Sequence, residues 1–305
     1  MKRMVPCILT ILLVAYGCGP GVDCTRDTLD GIVDAYVASL AAHTATDLPL
    51  APNVKFTENG VEKAVGQGFW ETAGKPLHMI TLIDTKECGA HIQAVMEEPF
   101  SSAIVGPAPK GGMMMGPQKP RPDEGTLRPM LFAARLKVEQ GKISEIETII
   151  ARENEFAFNA DGVLETRDQD WSSILAPGER TPREVMIEAA DNYFDMFADE
   201  PTVSVPFAKV CDRWENGFQT TKGGPMGNAV LPAHDCSPKG LVISNHGPRR
   251  FLVDEERGLV VAYVHFAGSL PDCHIFRMRS GEVDLIQAVI GSGAPTMGWE
   301  DEPAE

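Results

Sequence analysis

The sequence predicts an α+β protein built as two tandem cone-shaped domains, each a long helix packed in a curved, mostly antiparallel sheet. Three observations lead there. A stretch occurs twice, LPLAPNVKFTENG at 48–60 and VPFAKVCDRWENG at 205–217. Pro49, Ala51, Glu58, Asn59 and Gly60 return as Pro206, Ala208, Glu215, Asn216 and Gly217 at a constant offset of 157 residues. The same offset carries Arg26, Asp34, Tyr36 and Ala41 onto Arg183, Asp191, Tyr193 and Ala198, and repetition at one fixed period marks a duplicated structural unit. A chain of 305 residues is the length of about two ordinary domains. In each half, one helical segment precedes a run of strands that ends in a hairpin, the order expected of a helix lying on an antiparallel sheet.

Taken in order, the chain starts with Lys2 and Arg3 ahead of a short apolar run, Ile8 to Ala15. That is the pattern of a secretory signal over residues 1–17, too short to span a bilayer. Ala15-Tyr16-Gly17-Cys18 resembles a bacterial lipoprotein box, which makes Cys18 the lipidated first residue and 18–24 a tether. Gly19 in place of Asp points to the outer membrane or cell surface; an ordinary signal peptide, with a periplasmic or extracellular product, is the alternative.

The first domain is expected over 25–155. Thr25 is the N-cap of a helix whose Leu29, Ile32, Val33, Tyr36, Val37 and Leu40 recur at helical spacing. Val54 to Thr57 alternates as a strand, Glu58-Asn59-Gly60 is a turn, and Val61 to Phe69 crosses back to carry Trp70 inward. Strands follow at 78–86, 91–96 and 131–139, then the turn Gln140-Gly141-Lys142 and a last strand at 143–151. Between them, 106–129 is rich in Gly, Pro and Met and reads as a lid or insertion. A linker covers 156–180. The second domain is expected over 181–299, with Thr181 as N-cap, Pro182 at N1 and Glu184 at N3 of a helix reaching Phe197. A polar loop spans 220–238, strands are expected at 250–254, 259–266, 274–279 and 283–290, and 300–305 is a tail.

The net charge of −16 excludes nucleic acid as a partner and leaves the membrane to be met through the lipid anchor alone. Five cysteines remain beyond the signal segment and Cys18. In an oxidising compartment they default to disulfides, and one bridge in each domain with Cys273 free is one arrangement among several. No CxxC or HxxxH spacing suggests zinc, the Met113-Met114-Met115 run lacks neighbouring ligands for copper, and no dinucleotide or phosphate fingerprint appears, so neither metal nor cofactor is expected.

At this point the chain resembles known proteins. Each half is similar to the nuclear-transport-factor-two-like, or ketosteroid-isomerase-like, fold. The whole resembles a family of secreted, largely uncharacterised proteins with that fold in tandem. The matching pieces are CTRDTLDGIVDAY, LPLAPNVKFTENG, DTKEC, FAFNADGVL, VPFAKVCDRWENG with its later Cys236, and RRFLVDEERGLVVAYVHF. The resemblance implies intradomain pairs Cys24–Cys88 and Cys211–Cys236. It implies no settled activity, and the insertion at 106–129 has no match in it.

Cones of this type place a carboxylate or His against a bound small molecule for general acid–base work. The second half is denser in such groups. Tyr263 and His265 alternate on one strand, Asp272 and His274 flank Cys273, and Arg213, Trp214 and Glu215 lie on the repeated stretch. The catalytic candidates are His265, oriented by Glu215 or Asp272, together with His274. The substrate-binding candidates are Arg250 and Arg213 for an anionic group, with Trp214, Tyr263 and Tyr193. In the first half Tyr36, Trp70, His78 and His91 are weaker candidates. Because Glu58-Asn59-Gly60 and Glu215-Asn216-Gly217 are shared, a structural role satisfying backbone donors is favoured for them. The expected activity is that of a cofactor-independent, cell-envelope lyase or isomerase acting on a small, partly apolar carbonyl- or aryl-bearing substrate. The alternatives are a hydrolase using His265 and a non-catalytic binding or interaction lipoprotein whose cones bury their open sheets together; a homodimer is a further expectation.

Overall fold

The computed structural model describes residues 24–106, 119–226, 229–238, 241–243, 246–293 and 296–299. The signal segment, Cys18, most of the tether, the Met113–Met115 run and the tail lie outside the described residues. Helix α1 (Arg26–Ala41) begins where the Thr25 hydroxyl accepts the Thr28 amide, and its Leu29, Ile32, Val33, Tyr36 and Leu40 are buried. Strand β1 (Leu50–Glu58) turns at Asn59-Gly60, both in the left-handed region (φ 47° and 77°), into the two-residue β2 (Val61–Glu62). A 3-10 turn, Gly68–Glu71, then carries Trp70 into the core. Strands β3 (Pro76–Asp84), β4 (Gly89–Pro99), β5 (Leu127–Glu139) and β6 (Lys142–Ala151) complete a sheet of order β2-β1-β6-β5-β4-β3, with β1 and β6 parallel and the other neighbours antiparallel. The connecting stretch holds a short helix, α2 (Ala160–Glu165).

The second half repeats the plan. Helix α3 (Arg183–Asp195) is followed by β7 (Phe207–Glu215), β8 (Phe218–Gln219), β9 (Lys222–Met226), β10 (Ala229–Ala233), β11 (Arg250–Asp254), β12 (Leu259–Phe266), β13 (Leu270–Arg279) and β14 (Glu282–Ile290). The main sheet runs β11-β12-β13-β14-β7-β8, again with one parallel pair, β7 and β14. Two local expectations are corrected. Thr181 does not cap α3: Pro182 holds the N-cap position, and the Thr181 hydroxyl accepts the Gly281 amide at 3.2 Å. The expected polar loop at 220–238 contains a separate two-stranded sheet, β9 with β10. The disulfides are Cys24–Cys88 and Cys211–Cys236, and Cys273 is free and buried. Two bridges fit an oxidising, exported environment. No described helix is long and apolar enough to cross a membrane.

Each sheet buries one face under its helix. In the first half Leu29, Tyr36, Phe56, Trp70, Phe132 and Ile146 form that core; in the second, Met186, Tyr193, Phe194, Val260, Phe276 and Ile286 do. The opposite faces pack on each other, Ile80, Leu82, Val95, Leu131 and Ile149 against Leu252, Val261, Tyr263, Ile275 and Val289, flanked by Trp171 and Trp299. The result is four layers, helix–sheet–sheet–helix, with apolar burial on both sides of both sheets.

The contacts across this plane are reciprocal. Arg26 at the start of α1 grips Asp254 at the end of β11 (3.0 and 2.6 Å), and its repeat partner Arg183 grips Asp84 at the end of β3 (3.0 and 2.8 Å). Asp84 also accepts the Val253 amide at 2.7 Å, while Asp254 accepts the Ile83 amide at 3.2 Å. The repeated Asn residues act in the same crossed way. Asn59 donates to the carbonyls of Ile150 (3.0 Å) and Ser292 (2.9 Å) and accepts the Ile150 amide; Asn216 donates to those of Ile290 and Phe156 (both 2.7 Å) and accepts the Ile290 amide. Each Asn therefore ties the last strand of its own sheet to the segment trailing from the other half.

Two groups, one buried and one half-buried, make this junction sensitive to pH. His91 on β4 faces the Tyr263 hydroxyl at 2.8 Å, and burial lowers its pKa from 6.5 to about 3. Glu155, just past β6, is raised from 4.5 to about 7, chiefly by burial. The unfolded chain takes a proton at His91 that the folded chain refuses, so that contribution is complete above pH 6.5 and lost as pH falls toward 3. The folded chain keeps a proton at Glu155 that the unfolded chain releases, so that contribution is complete below pH 4.5 and lost as pH rises to 7. Between 4.5 and 6.5 the two slopes oppose, and the expected profile is a plateau there. On the acid side, between pH 4.5 and 3, His91 alone removes about 2 kcal/mol at ~1.4 kcal/mol per pH unit. Urea unfolding midpoints measured against pH check this: His91→Gln should flatten the acid limb, and an acid limb of unchanged size would reject the assignment.

Candidate active site

The two helix-side cores can be compared position by position. Ile150 and Ile290 are the residues clamped by Asn59 and Asn216, and across the next strand they pair with Phe132 and Asp272. Two residues on, Ala134 pairs with Thr148 and His274 with Ala288. The 157-residue offset matches Phe56 to Arg213. Thus where the first core has Phe132, Ala134 and Phe56, the second has Asp272, His274 and Arg213.

The first core is filled by rings. Trp70 meets Tyr36 edge-on at 5.3 Å and Phe56 at 5.9 Å, and Phe69 lies 5.4 Å from Phe132. The Trp70 indole donates to the Ser39 carbonyl at 3.0 Å, and burial pushes the Tyr36 phenol well up. Toward the strand ends Glu98 holds Arg152 in a bidentate pair (2.6 and 2.8 Å) and accepts from Thr72 at 2.7 Å.

The second core is polar at its centre. His274 Nδ1 lies 2.9 Å from Asp272 Oδ1, and both side chains are buried. The two alternate along β13, so they share a face with Phe276. Asp272 Oδ2 has no partner among the described residues. Burial raises the Asp272 carboxyl pKa, opposed by His274, and the nearby Glu215 charge adds to the rise. Around the His274 ring stand Phe194 (5.3 Å), Tyr193 (5.4 Å), Phe276 (6.1 Å) and Phe266 (6.3 Å). On β7, Arg213 Nε reaches Thr220 Oγ1 and Glu215 Oε1, both at 2.9 Å, and Nη1 donates to the Tyr193 hydroxyl and the Cys236 carbonyl, both at 3.0 Å. Burial pushes the Tyr193 phenol up to about 12, with Arg213 opposing the rise.

The candidate residues therefore divide. Asp272, His274, Glu215, Arg213 and Tyr193 come together on the helix side. His265, Tyr263, Arg250 and Trp214 lie on the opposite face, toward the first half. The expected partnership of His265 with Asp272 or Glu215 is corrected by register: Asp272 pairs with Val264 in the helix-side core, so the next residue, His265, faces the other way. Tyr263 is engaged by His91, and Arg250 forms an ion pair with Glu147, which also accepts Arg135 at 2.7 Å. Trp214 packs beside His78, Gln93 and Gln287 between the halves. Of the two arginines expected to hold an anionic group, Arg250 is ion-paired with Glu147 and Arg213 is bonded to Glu215, Thr220 and Tyr193. Of the first-half candidates, Tyr36 and Trp70 belong to the ring-filled core and His78 and His91 to the junction. The enclosing rings Phe194, Phe266 and Phe276 were missed; the shared parity of Phe276 with His274 and Asp272 is the signal that marks this wall. A cleft of about 420 Å³ beside Arg26, Asp84, Arg180 and Asp254 sits at the junction, lined by side chains already ion-paired. Among the described residues no three His, Cys, Asp or Glu side chains converge as metal ligands.

Comparison with known proteins adds the following. Residues 179–290 match a family model described as a domain of unknown function, DUF8021. No curated protein matches the chain in sequence. Among solved structures the chain is similar to a candidate polyketide cyclase from Xanthomonas campestris pv. campestris, at 15% identity over 47% of this chain and 97% of that one, TM-score 0.30. It is similar also to a candidate hydroxylase from Streptomyces galilaeus (10% identity, 47% and 95% covered, TM-score 0.29). A candidate polyketide cyclase from Pseudomonas putida shows 16% identity, with 42% and 91% covered and a TM-score of 0.27. By its own topology, a helix against a six-stranded mixed sheet in each half, the chain is a pair of tandem cone-like α+β domains.

Proposed function

We propose that the second domain is a cofactor-independent acid–base site of the lyase or isomerase type, acting on a small, partly apolar, carbonyl- or aryl-bearing substrate. The observation that carries this reading is the buried Oδ2 of Asp272, without a partner among the described residues, beside His274, at positions where the same fold is built in the first half with Phe132 and Ala134. A buried polar pair without full satisfaction costs stability, and the first half shows that the architecture does not need it.

The chemistry follows from the geometry. With His274 Nδ1–H donating to Asp272 Oδ1, the ring presents Nε2 as a base toward a C–H proton. The raised carboxyl of Asp272 keeps a proton on Oδ2 above the usual aspartate range, available to a carbonyl oxygen as negative charge develops there. The flanking rings exclude water and suit an apolar body. Arg213, paired with Glu215, donates to the Tyr193 hydroxyl, and the Tyr193 ring lies 5.4 Å from that of His274. The signal-like N-terminus and the two disulfides support a working place in the cell envelope. The first half, ring-filled at the matching positions, supports a structural role for that half.

A panel of cyclic and aryl ketones stands in for the natural substrate in the test. Incubated with the full protein in D2O, these ketones should gain deuterium next to the carbonyl, read by proton NMR. Asp272→Asn should slow that exchange while leaving the fold intact. Exchange no faster than in buffer across the panel would overturn the reading.

A further inference from the structure

The Cys211–Cys236 bridge lies beside the proposed site, and its counterpart in the first half does not. Cys24–Cys88 joins the start of α1 to the β3–β4 turn. Cys211, by contrast, sits on β7 two residues before Arg213, and both it and Cys236 are wholly buried in the helix-side core. The segment closed by the bridge contains Thr220 and Thr221. Thr220 Oγ1 accepts Arg213 Nε at 2.9 Å, Thr221 Oγ1 accepts the Arg213 amide at 2.9 Å, and the Cys236 carbonyl itself accepts Arg213 Nη1 at 3.0 Å. Apart from the bond to Tyr193, these bonds to Arg213 come from the closed segment or from its closing residue. Arg213 in turn fixes Tyr193, whose ring lies 5.4 Å from His274.

We propose that the Cys211–Cys236 disulfide is the positioning device for Arg213, so that the second cone is assembled only in the oxidised protein. The inference rests on reading the second cone as the site. Reduction by a dithiol transfers two electrons and two protons to the bridge: the S–S bond breaks, two cysteine thiols form, and the dithiol closes to its cyclic disulfide. The closed segment then gains conformational freedom, the Cys236 carbonyl and Thr220 hydroxyl leave Arg213, and Tyr193 loses its anchor beside His274. The consequence is a protein competent after export and incompetent in a reducing compartment.

The test is made on the full chain by NMR, following the Arg213 Nε–H and the Tyr193 ring resonances. The oxidised protein, the protein after dithiothreitol, a Cys211→Ala/Cys236→Ala variant and a Cys24→Ala/Cys88→Ala control are compared. Loss of the second bridge should speed hydrogen exchange at Arg213 Nε–H by about tenfold or more and move the Tyr193 signals, with the β12–β14 amides still protected. The Cys24→Ala/Cys88→Ala control should leave both probes in place. Unchanged Arg213 protection without the second bridge would overturn the inference. General loss of amide protection across the second domain would overturn it as well, since the bridge would then be a staple of the fold. The outcome is separable from the proposed reaction: a bridge-dependent Arg213 in a protein that exchanges no ketone protons rejects the reaction alone, and ketone exchange surviving with Arg213 unmoved rejects this inference alone.

Discussion

His274→Ala should slow ketone α-proton exchange by about 10²–10⁴-fold, the usual range for losing a positioned general base. The loss should fall on the rate and much less on half-saturation, because the rings of Phe194, Phe266 and Phe276 around His274 remain. The pH dependence separates the two partners. Burial raises the Asp272 carboxyl, so the donor proton on Oδ2 is kept beyond the ordinary aspartate range and lost as pH rises through that raised value. Wild-type exchange should therefore decline on the alkaline side, and Asp272→Asn should flatten that decline at a low rate. In the first half, Tyr36→Phe removes a buried hydroxyl that has no partner among the described residues and should leave exchange within a few-fold. A His274→Ala rate near wild type, measured on the same ketone, would remove His274 from the mechanism.

Asp84→Ala and Asp254→Ala should each destabilise the protein by about 3–5 kcal/mol, the range for removing one partner of a buried ion pair. Both carboxylates are fully buried. Asp84 meets two nitrogens of Arg183, the Val253 amide across the junction at 2.7 Å and the local amides of Lys86 and Glu87 at 3.1 and 3.0 Å. Asp254 meets Arg26, Ile83 and the Arg257 amide at 3.2 Å. Truncation strands an arginine and several amides together, so the cost exceeds that of a surface pair. Asp84→Asn keeps a hydrogen-bonding group in place and should lose less. Urea unfolding of the full chain measures these differences; a loss below about 1 kcal/mol for both alanine variants would show that the crossed contacts do not hold the halves together.

Much of the architecture was legible because it rests on local pattern. The 157-residue offset revealed the duplication, Thr25 marked the start of α1, and the turns at Asn59-Gly60 and Asn216-Gly217 appear where the repeat ends. The site was legible only in part, for a physical reason. A strand's period of two says which residues share a face, and in most sheets the polar face then identifies the outside. On β12 both faces are buried, Val260, Ala262 and Val264 against the helix and Leu259, Val261 and Tyr263 against the other sheet. The alternation is erased, and nothing in the sequence says that His265 faces away from Asp272. The places of Tyr263 and Arg250 were hidden for the same cause: they are polar residues of a sheet–sheet junction, bonded to His91 and Glu147 from strands of the other half. The shared Glu-Asn-Gly motif was legible as structural, but its crossed bonds to Ser292 and Phe156 depend on how the halves meet, which no local pattern encodes.

The reading of function depends on Asp272 being a desolvated acid held beside a base, and carboxyl ¹³C NMR of Asp272 in the full-length oxidised protein measures that directly. The account predicts a titration midpoint above the value of ~3.9 for an unperturbed aspartate, falling back toward it in a variant that opens the ring wall, Phe276→Ala. A midpoint at or below the unperturbed value, unchanged by Phe276→Ala, would contradict it.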